Sequence, residues 1–186
     1  LDLDHCQSYM VDGVAAGFNS WEDSLAEMPA EKISDESIGV QMLYSSGTTG
    51  RPKGVFKPLP EGAYGVDEGP NLFGMLYGAT ENSIYLSPAP LYHAAPLTFT
   101  MGMLSMGVTC IVMQHFEAEA SLAAIEKYKV THSQWVPTMF IRMLKLDDDV
   151  RLKHDVSSLQ CAIHAAAPCP VPIKEQMIEW WGPVIH

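Results

Sequence analysis

Residues 44–55 read Tyr44-Ser45-Ser46-Gly47-Thr48-Thr49-Gly50-Arg51-Pro52-Lys53-Gly54-Val55. The hydroxyls of Ser45, Ser46, Thr48 and Thr49 precede the ammonium of Lys53, with Gly47 and Gly50 between them. Glycine reaches backbone conformations closed to other residues, so successive N–H groups can converge on an anion. The hydroxyls add donors and Lys53 adds a mobile positive charge. A polyphosphate needs that combination. The order departs from the Walker A loop, which places Gly directly before the Lys and Ser or Thr after it; Pro52 and Gly54 stand there instead. A hairpin turn assembled from ordinary turn residues is the other reading of the same letters.

The flanking elements explain how such a loop would be held. A short strand at 40–44 enters it and a strand at 54–57 leaves it, followed by a Pro- and Gly-rich loop to residue 71. Downstream the pattern alternates. Helices are predicted at 72–77, about 94–106, 118–128, from Pro137 onward, and 171–181, with strands at 83–86, 109–113, 131–136 and 160–163. Met139, Phe140, Met143 and Leu144 give the helix that Pro137 opens an apolar face, and proline suits its first position. Short buried strands alternating with helices predict an α/β fold with a mostly parallel sheet and flanking helices. In such folds ligands bind at the carboxyl ends of the strands. Residues 1–39 read as an acidic lead-in with a surface segment or linker at 19–37, and 40–186 as the central α/β region.

Composition narrows the functional classes. The 186 residues carry 11 Lys and Arg against 22 Asp and Glu, a net charge of −11. That balance argues against a general nucleic-acid binder, which needs a basic surface. The four cysteines form no CxxC pair and are expected as buried free thiols in a reduced, cytoplasmic protein. The eleven methionines are expected mostly in the core. Residues 82–116 hold no Asp, Glu, Lys or Arg, but Pro88, Pro90 and Pro96 interrupt the run. It reads as core rather than a membrane span, which needs about 20 predominantly apolar residues. The first residues carry no signal-peptide pattern.

Beyond the loop, Ser87-Pro88-Ala89-Pro90-Leu91-Tyr92-His93 places a histidine before a predicted helix, and His164-Ala165-Ala166-Ala167-Pro168 places small residues after a strand. Taken alone, the histidine is more often structural and the small residues an ordinary turn. Residues 44–55, however, closely resemble the phosphate loop of the adenylate-forming superfamily of acyl-CoA synthetases, peptide-synthetase adenylation domains and luciferases. The other two stretches resemble that superfamily's following motifs, as does Trp135-Val136-Pro137-Thr138, for which core packing is an equal reading. The wording is most similar to bacterial fatty-acyl-CoA ligases of the actinobacterial type. Tyr77-Gly78-Ala79-Thr80-Glu81 also spells a superfamily motif, but in the wrong order along the chain, and reads as a helix ending at Gly78.

The resemblance implies a fragment of an enzyme that joins a carboxylate to ATP as an acyl-adenylate and passes it to coenzyme A. It implies phosphate binding by Ser46, Gly47, Thr48, Thr49, Gly50 and Lys53, a magnesium contact at Ser45, and orientation of the carboxylate by His93. Ala165, Ala166 and Ala167 would lie against the adenine and the acyl group. ATP, Mg2+ and coenzyme A are the implied cofactors, and a small carboxylic acid, fatty by the same resemblance, the substrate. The alternatives are adenylation of an amino or aryl acid for a carrier domain, or a non-catalytic nucleotide-binding module. Starting at Leu1 and ending on the strand-like Val184-Ile185-His186, the chain is expected to lack the superfamily's later motifs and its small C-terminal domain. By itself it is therefore expected to form no thioester.

Overall fold

The computed structural model of the chain describes residues 5–37, 39–45, 51–59 and 72–186. The chain divides into two compact units, Leu1–Val66 and Asp67–His186. In the first, β1 (Tyr9–Met10) pairs in parallel with β2 (Asn19–Ser20), and α1 (Trp21–Ala26) follows directly. This helix stands in the predicted linker because its start is locally specified. Ser20 accepts the Asp23 N–H at 3.1 Å, and Glu22 and Asp23 set negative charge against the first turn. β3 (Leu43–Ser45) and β4 (Lys53–Val55) form an antiparallel hairpin with Leu43 opposite Val55 and Ser45 opposite Lys53. No described residue of this unit is buried.

The second unit runs α2 (Leu72–Tyr77), β5 (Ile84–Ser87), α3 (Ala94–Ser105), β6 (Thr109–Val112), α4 (Ala118–Tyr128) and β7 (His132–Trp135). It continues with α5 (Pro137–Leu144), α6 (Asp148–Arg151), β8 (Cys161–His164) and α7 (Val171–Trp181). The strands form one sheet in the order β6-β5-β7-β8, every pair parallel. Ile185 adds a parallel bridge to Ala162, continuing the sheet where the sequence predicts a strand to begin. α6 has no counterpart among the predicted elements. Its four residues are too short for periodicity to register, and Arg151 bonding Asp148 at 2.7 Å helps hold the turn.

Alternation along the strands sends successive side chains to opposite faces. Leu86, Trp135 and Ala162 join Ile125, Phe140, Met143 and Met177 in the larger core, under α4, α5 and α7. Tyr85 turns the other way, into a smaller core with Met103, Val108 and the ring of Phe73. Helices thus cover both faces, as a parallel sheet requires. Tyr77 closes α2, and Gly78 follows at φ 69° with its N–H on the Gly74 carbonyl at 3.0 Å. The Tyr77-to-Glu81 letters are therefore a helix end, as the sequence order suggests.

Two compositional expectations are corrected. Met103, Met139, Met143 and Met177 are buried, whereas Met10, Met28, Met42, Met75 and Met101 are exposed. The first three of these lie in the unit where no described residue is buried, and the other two on outward positions of α2 and α3. Among the thiols only Cys161 is buried; Cys6 is exposed, and Cys110 and Cys169 are half-buried.

α2 reaches α3 at a glycine. A Cβ on Gly102 would stand 2.1 Å from a ring carbon of Phe73. Gly102→Ala would gain about 1 kcal/mol of helix propensity but overpack the contact at a cost of about 1–3 kcal/mol. A lower denaturation midpoint is expected; an unchanged or higher one would contradict the close approach.

His132 is buried on β7. Its Nε2 lies 3.0 Å from the Tyr77 carbonyl oxygen, which can only accept, so this nitrogen carries the proton. Nδ1 then accepts from the Thr131 hydroxyl at 2.8 Å. Burial holds the ring below its ordinary pKa of 6.5, against the opposing pull of the Tyr77 carbonyl. The unfolded chain therefore binds the extra proton more readily, and stability falls as pH drops below about 6.5. His132→Gln should flatten that fall, measured by urea denaturation between pH 7 and 5.5. A residual slope is expected because burial, and then Lys174, also lower His164.

Candidate functional site

The central strands place a cavity. The sheet order reverses direction between β5 and β7, since β6 follows β5 on one side and β7 is laid down on the other. Such a switch point opens a crevice at the carboxyl ends of the strands. A cavity of ≈ 560 Å³ lies there, lined by Ala89, Pro90 and His93 after β5 and by Ala94, Ala95 and Pro96 in the first turn of α3. Gln134 and Val136 line it from the end of β7, Met139 from α5, and Ala166 from the turn after β8. The lining is apolar except for His93 and Gln134.

His93 occupies the N-cap position of α3 in extended conformation (φ −87°, ψ 146°), and its side chain makes no capping bond. The ring lies tilted at 49° to that of Tyr92, centroids 4.5 Å apart. Pro96 sits buried in the first turn of α3, where a missing N–H costs nothing. The helix therefore forms normally with proline at this position.

The small-residue stretch is anchored to the neighbouring strand. The Ala165 N–H donates to the Trp135 carbonyl at 3.0 Å, and Ala166 then takes φ 72°. An alanine in that left-handed region is strained by about 1–2 kcal/mol. Of the three alanines, Ala166 lines the cavity; Ala167 is exposed. The Trp135-to-Thr138 stretch divides by strand alternation and the helix start. Trp135 is buried in the large core, and Val136 faces the cavity.

In the first unit, Ser45 and Lys53 face each other across the closing pair of the β3–β4 hairpin. The ladder thus holds the two ends of the hydroxyl-rich loop together. Ser46, Gly47, Thr48, Thr49 and Gly50 lie outside the described residues. Among the described residues no three His, Cys, Asp or Glu side chains gather as a metal site, and no helix is long and apolar enough to cross a membrane. Thiol chemistry has no support at the site either: burial pushes Cys161 up to about 11, so it stays protonated.

Gln134 is the lining residue that sequence reasoning missed. The signal was present: a glutamine inside a strand whose four residues are all buried. Nothing in local periodicity distinguishes the cavity side of such a strand from its core side.

The sequence pattern of the AMP-binding enzyme family matches residues 4–186. Probable CoA ligase CCL5 of Humulus lupulus is 33% identical over 172 residues, covering 84% of this chain and 29% of that protein. O-succinylbenzoate coenzyme A synthetase (MenE) of Bacillus subtilis, in complex with ATP and magnesium ion, superposes with a TM-score of 0.61 at 27% identity, over 84% of this chain and 32% of that one. The inhibitor-bound N-terminal domain of FACL13 from Mycobacterium tuberculosis shares the fold, with a TM-score of 0.69 at 23% identity over 86% of this chain and 39% of that one. The chain therefore spans under a third of the length of the Humulus relative.

The strained alanine yields a stability prediction. Ala166→Gly removes the left-handed penalty and should hold or raise the denaturation midpoint, after about 0.5–1 kcal/mol of added chain entropy. Ala165, outside the positive-φ region, should lose stability on the same change. Equal losses at both positions in urea titrations would contradict the turn geometry.

Proposed function

The chain belongs to the AMP-binding enzyme family, and from that premise we propose that its full-length protein is an ATP-dependent acid–thiol ligase. In this reading a carboxylate oxygen attacks the α-phosphorus of ATP, pyrophosphate leaves, and coenzyme A then displaces AMP to give the thioester. Residues 1–39 lead into the central AMP-binding region of 40–186. The observation that carries the reading is one uninterrupted family match over 4–186, which takes in both the hydroxyl-rich loop and the cavity with His93.

The residues suit this chemistry. A carboxylic acid with a pKa of about 4 is already ionised at pH 7, so the attack needs no general base. It needs placement and charge neutralisation on the phosphates. The loop N–H groups and hydroxyls of Ser46, Gly47, Thr48, Thr49 and Gly50 would bind the phosphates, and Lys53 would neutralise their charge. Ser45 would supply a hydroxyl to magnesium, which polarises the phosphates when bound. The MenE neighbour, crystallised with ATP and magnesium ion, supports that fit. His93 would orient the carboxylate at the mouth of the cavity, and Ala165, Ala166 and Ala167 would give a flat ring access to the backbone. The acid is fatty or aryl: the wording around His93, residues 132–139 and residues 165–168 favours the first, and the succinylbenzoate ligase neighbour supports the second. A cytoplasmic setting accords with four free thiols.

ATP–pyrophosphate exchange by the full-length protein, across fatty and aryl acids, tests the proposal. Exchange driven by one class would establish adenylation and name the substrate class together. Lys53→Ala should reduce it on the order of 100-fold, the scale of removing one preorganised donor. Unchanged exchange would overturn the phosphate assignment of Lys53.

A further inference from the structure

A second cleft lies at the other end of the sheet. β8 leads into α7, which runs back along the helix layer, so its residues 176–180 stand toward the amino ends of the strands. The cavity lined by His93 is at the carboxyl ends. α6 follows α5 to the amino end as well. Between them, Arg151 and Leu152 form one wall and Gln176, Glu179 and Trp180 the other, around ≈ 490 Å³. Small-molecule sites run from about 300 to 1,000 Å³. The three α7 residues are three and four apart and so share one face of the helix.

The two walls carry opposite charges that do not meet. Arg151 donates through Nη2 to Asp148 at 2.7 Å, and its guanidinium lies over the Trp180 ring, 5.1 Å from the centroid. Those contacts fix a side chain that is only 20% exposed. A guanidinium has five N–H donors, and Asp148 occupies one of them. Among the described residues no ion pair joins Arg151 to Glu179, and neither the Glu179 carboxylate nor the Gln176 carboxamide has a hydrogen-bond partner.

Elementary electrostatics then selects the ligand. An anion drawn to Arg151 meets the repulsion of Glu179 and Asp148, in a chain whose net charge is already −11. A cation drawn to Glu179 meets Arg151. A molecule bearing both charges answers each with its opposite, while Leu152 and the Trp180 ring offer apolar surface beside them. We propose that this cleft is a second binding site that takes an apolar α-amino acid as its zwitterion: the carboxylate on Arg151, the ammonium on Glu179, and the side chain against Trp180 and Leu152. Gln176 can donate to or accept from the same polar end. The site is separate from the acid-activating cavity and stands or falls independently of it.

Calorimetric titration of the full-length protein with phenylalanine and leucine tests the proposal, with 3-phenylpropionate and phenethylamine as analogues that each keep one of the two charges. At least one of the amino acids should bind saturably. Glu179→Gln removes an exposed charge that has no partner, so the unliganded denaturation midpoint and ATP–pyrophosphate exchange should not change. It should weaken amino-acid binding about tenfold, the scale of one charge-assisted hydrogen bond. Arg151→Lys keeps the charge without the planar fork and should retain only part of the affinity. Neither one-charge analogue should show binding that responds to Glu179→Gln by as much. Binding in the cavity with His93 is indifferent to Glu179, so the variant separates the two sites. No saturable binding of either amino acid, amino-acid binding that survives Glu179→Gln, or an equal response of 3-phenylpropionate to that substitution would each overturn the inference.

Discussion

The carbonyl oxygen of Trp135 takes two hydrogen bonds at the end of β7, from the Ala165 N–H at 3.0 Å and from the Gln134 carboxamide at 2.9 Å. Both lone pairs are then engaged. The first bond ties the turn after β8 to the strand beside it and sets the backbone that Ala166 must follow. The second holds Gln134 across the end of its own strand. The residue that offers this oxygen is itself immobilised: its indole N–H bonds Ser133 at 2.6 Å, and its rings meet Trp181 and Phe140 at centroid separations of 5.6 and 6.2 Å. The rigidity of the large core is passed through one backbone group to the cavity.

That arrangement explains how β7 can be polar in the middle of a doubly covered sheet. Buried parallel strands usually read as apolar runs, yet this one is His-Ser-Gln-Trp with every residue buried. Three polar side chains are tolerated there because each has a partner: the C-terminal carbonyl of α2 for His132, and, from Trp135 on the same strand, the indole for Ser133 and the main-chain carbonyl for Gln134. Each bond is worth little net, but removing one partner would strand a buried polar group. The strand's polarity thus locks α2 against the sheet on one face and shapes the cavity on the same side.

The hairpin of the first unit answers a different need. Three antiparallel pairs from Leu43–Val55 to Ser45–Lys53 hold the two ends of the hydroxyl-rich run together. A slip of one residue would turn Lys53 to the other face of the ribbon.

Most of the element order was legible in the sequence. Alternating apolar strands and helices announced a parallel sheet, Pro137 marked the start of α5, and Gly78 marked the end of α2, because each is a local preference of backbone or side chain. The hydroxyl- and glycine-rich run resembled the superfamily's phosphate loop, and the family match over 4–186 agrees with that resemblance. What sequence could not supply was the face each residue presents and the partner it finds there. Trp135 and Val136 are neighbours in the chain, yet one packs in the core and the other in the cavity. Gln134 acquires meaning only when β5, β7 and β8 are brought side by side, and Ala166 acquires its strain only when Ala165 bonds across to β7. Local propensity determines that strands and helices form; the pairing of strands distant in sequence decides which side chains face the core and which the cavity.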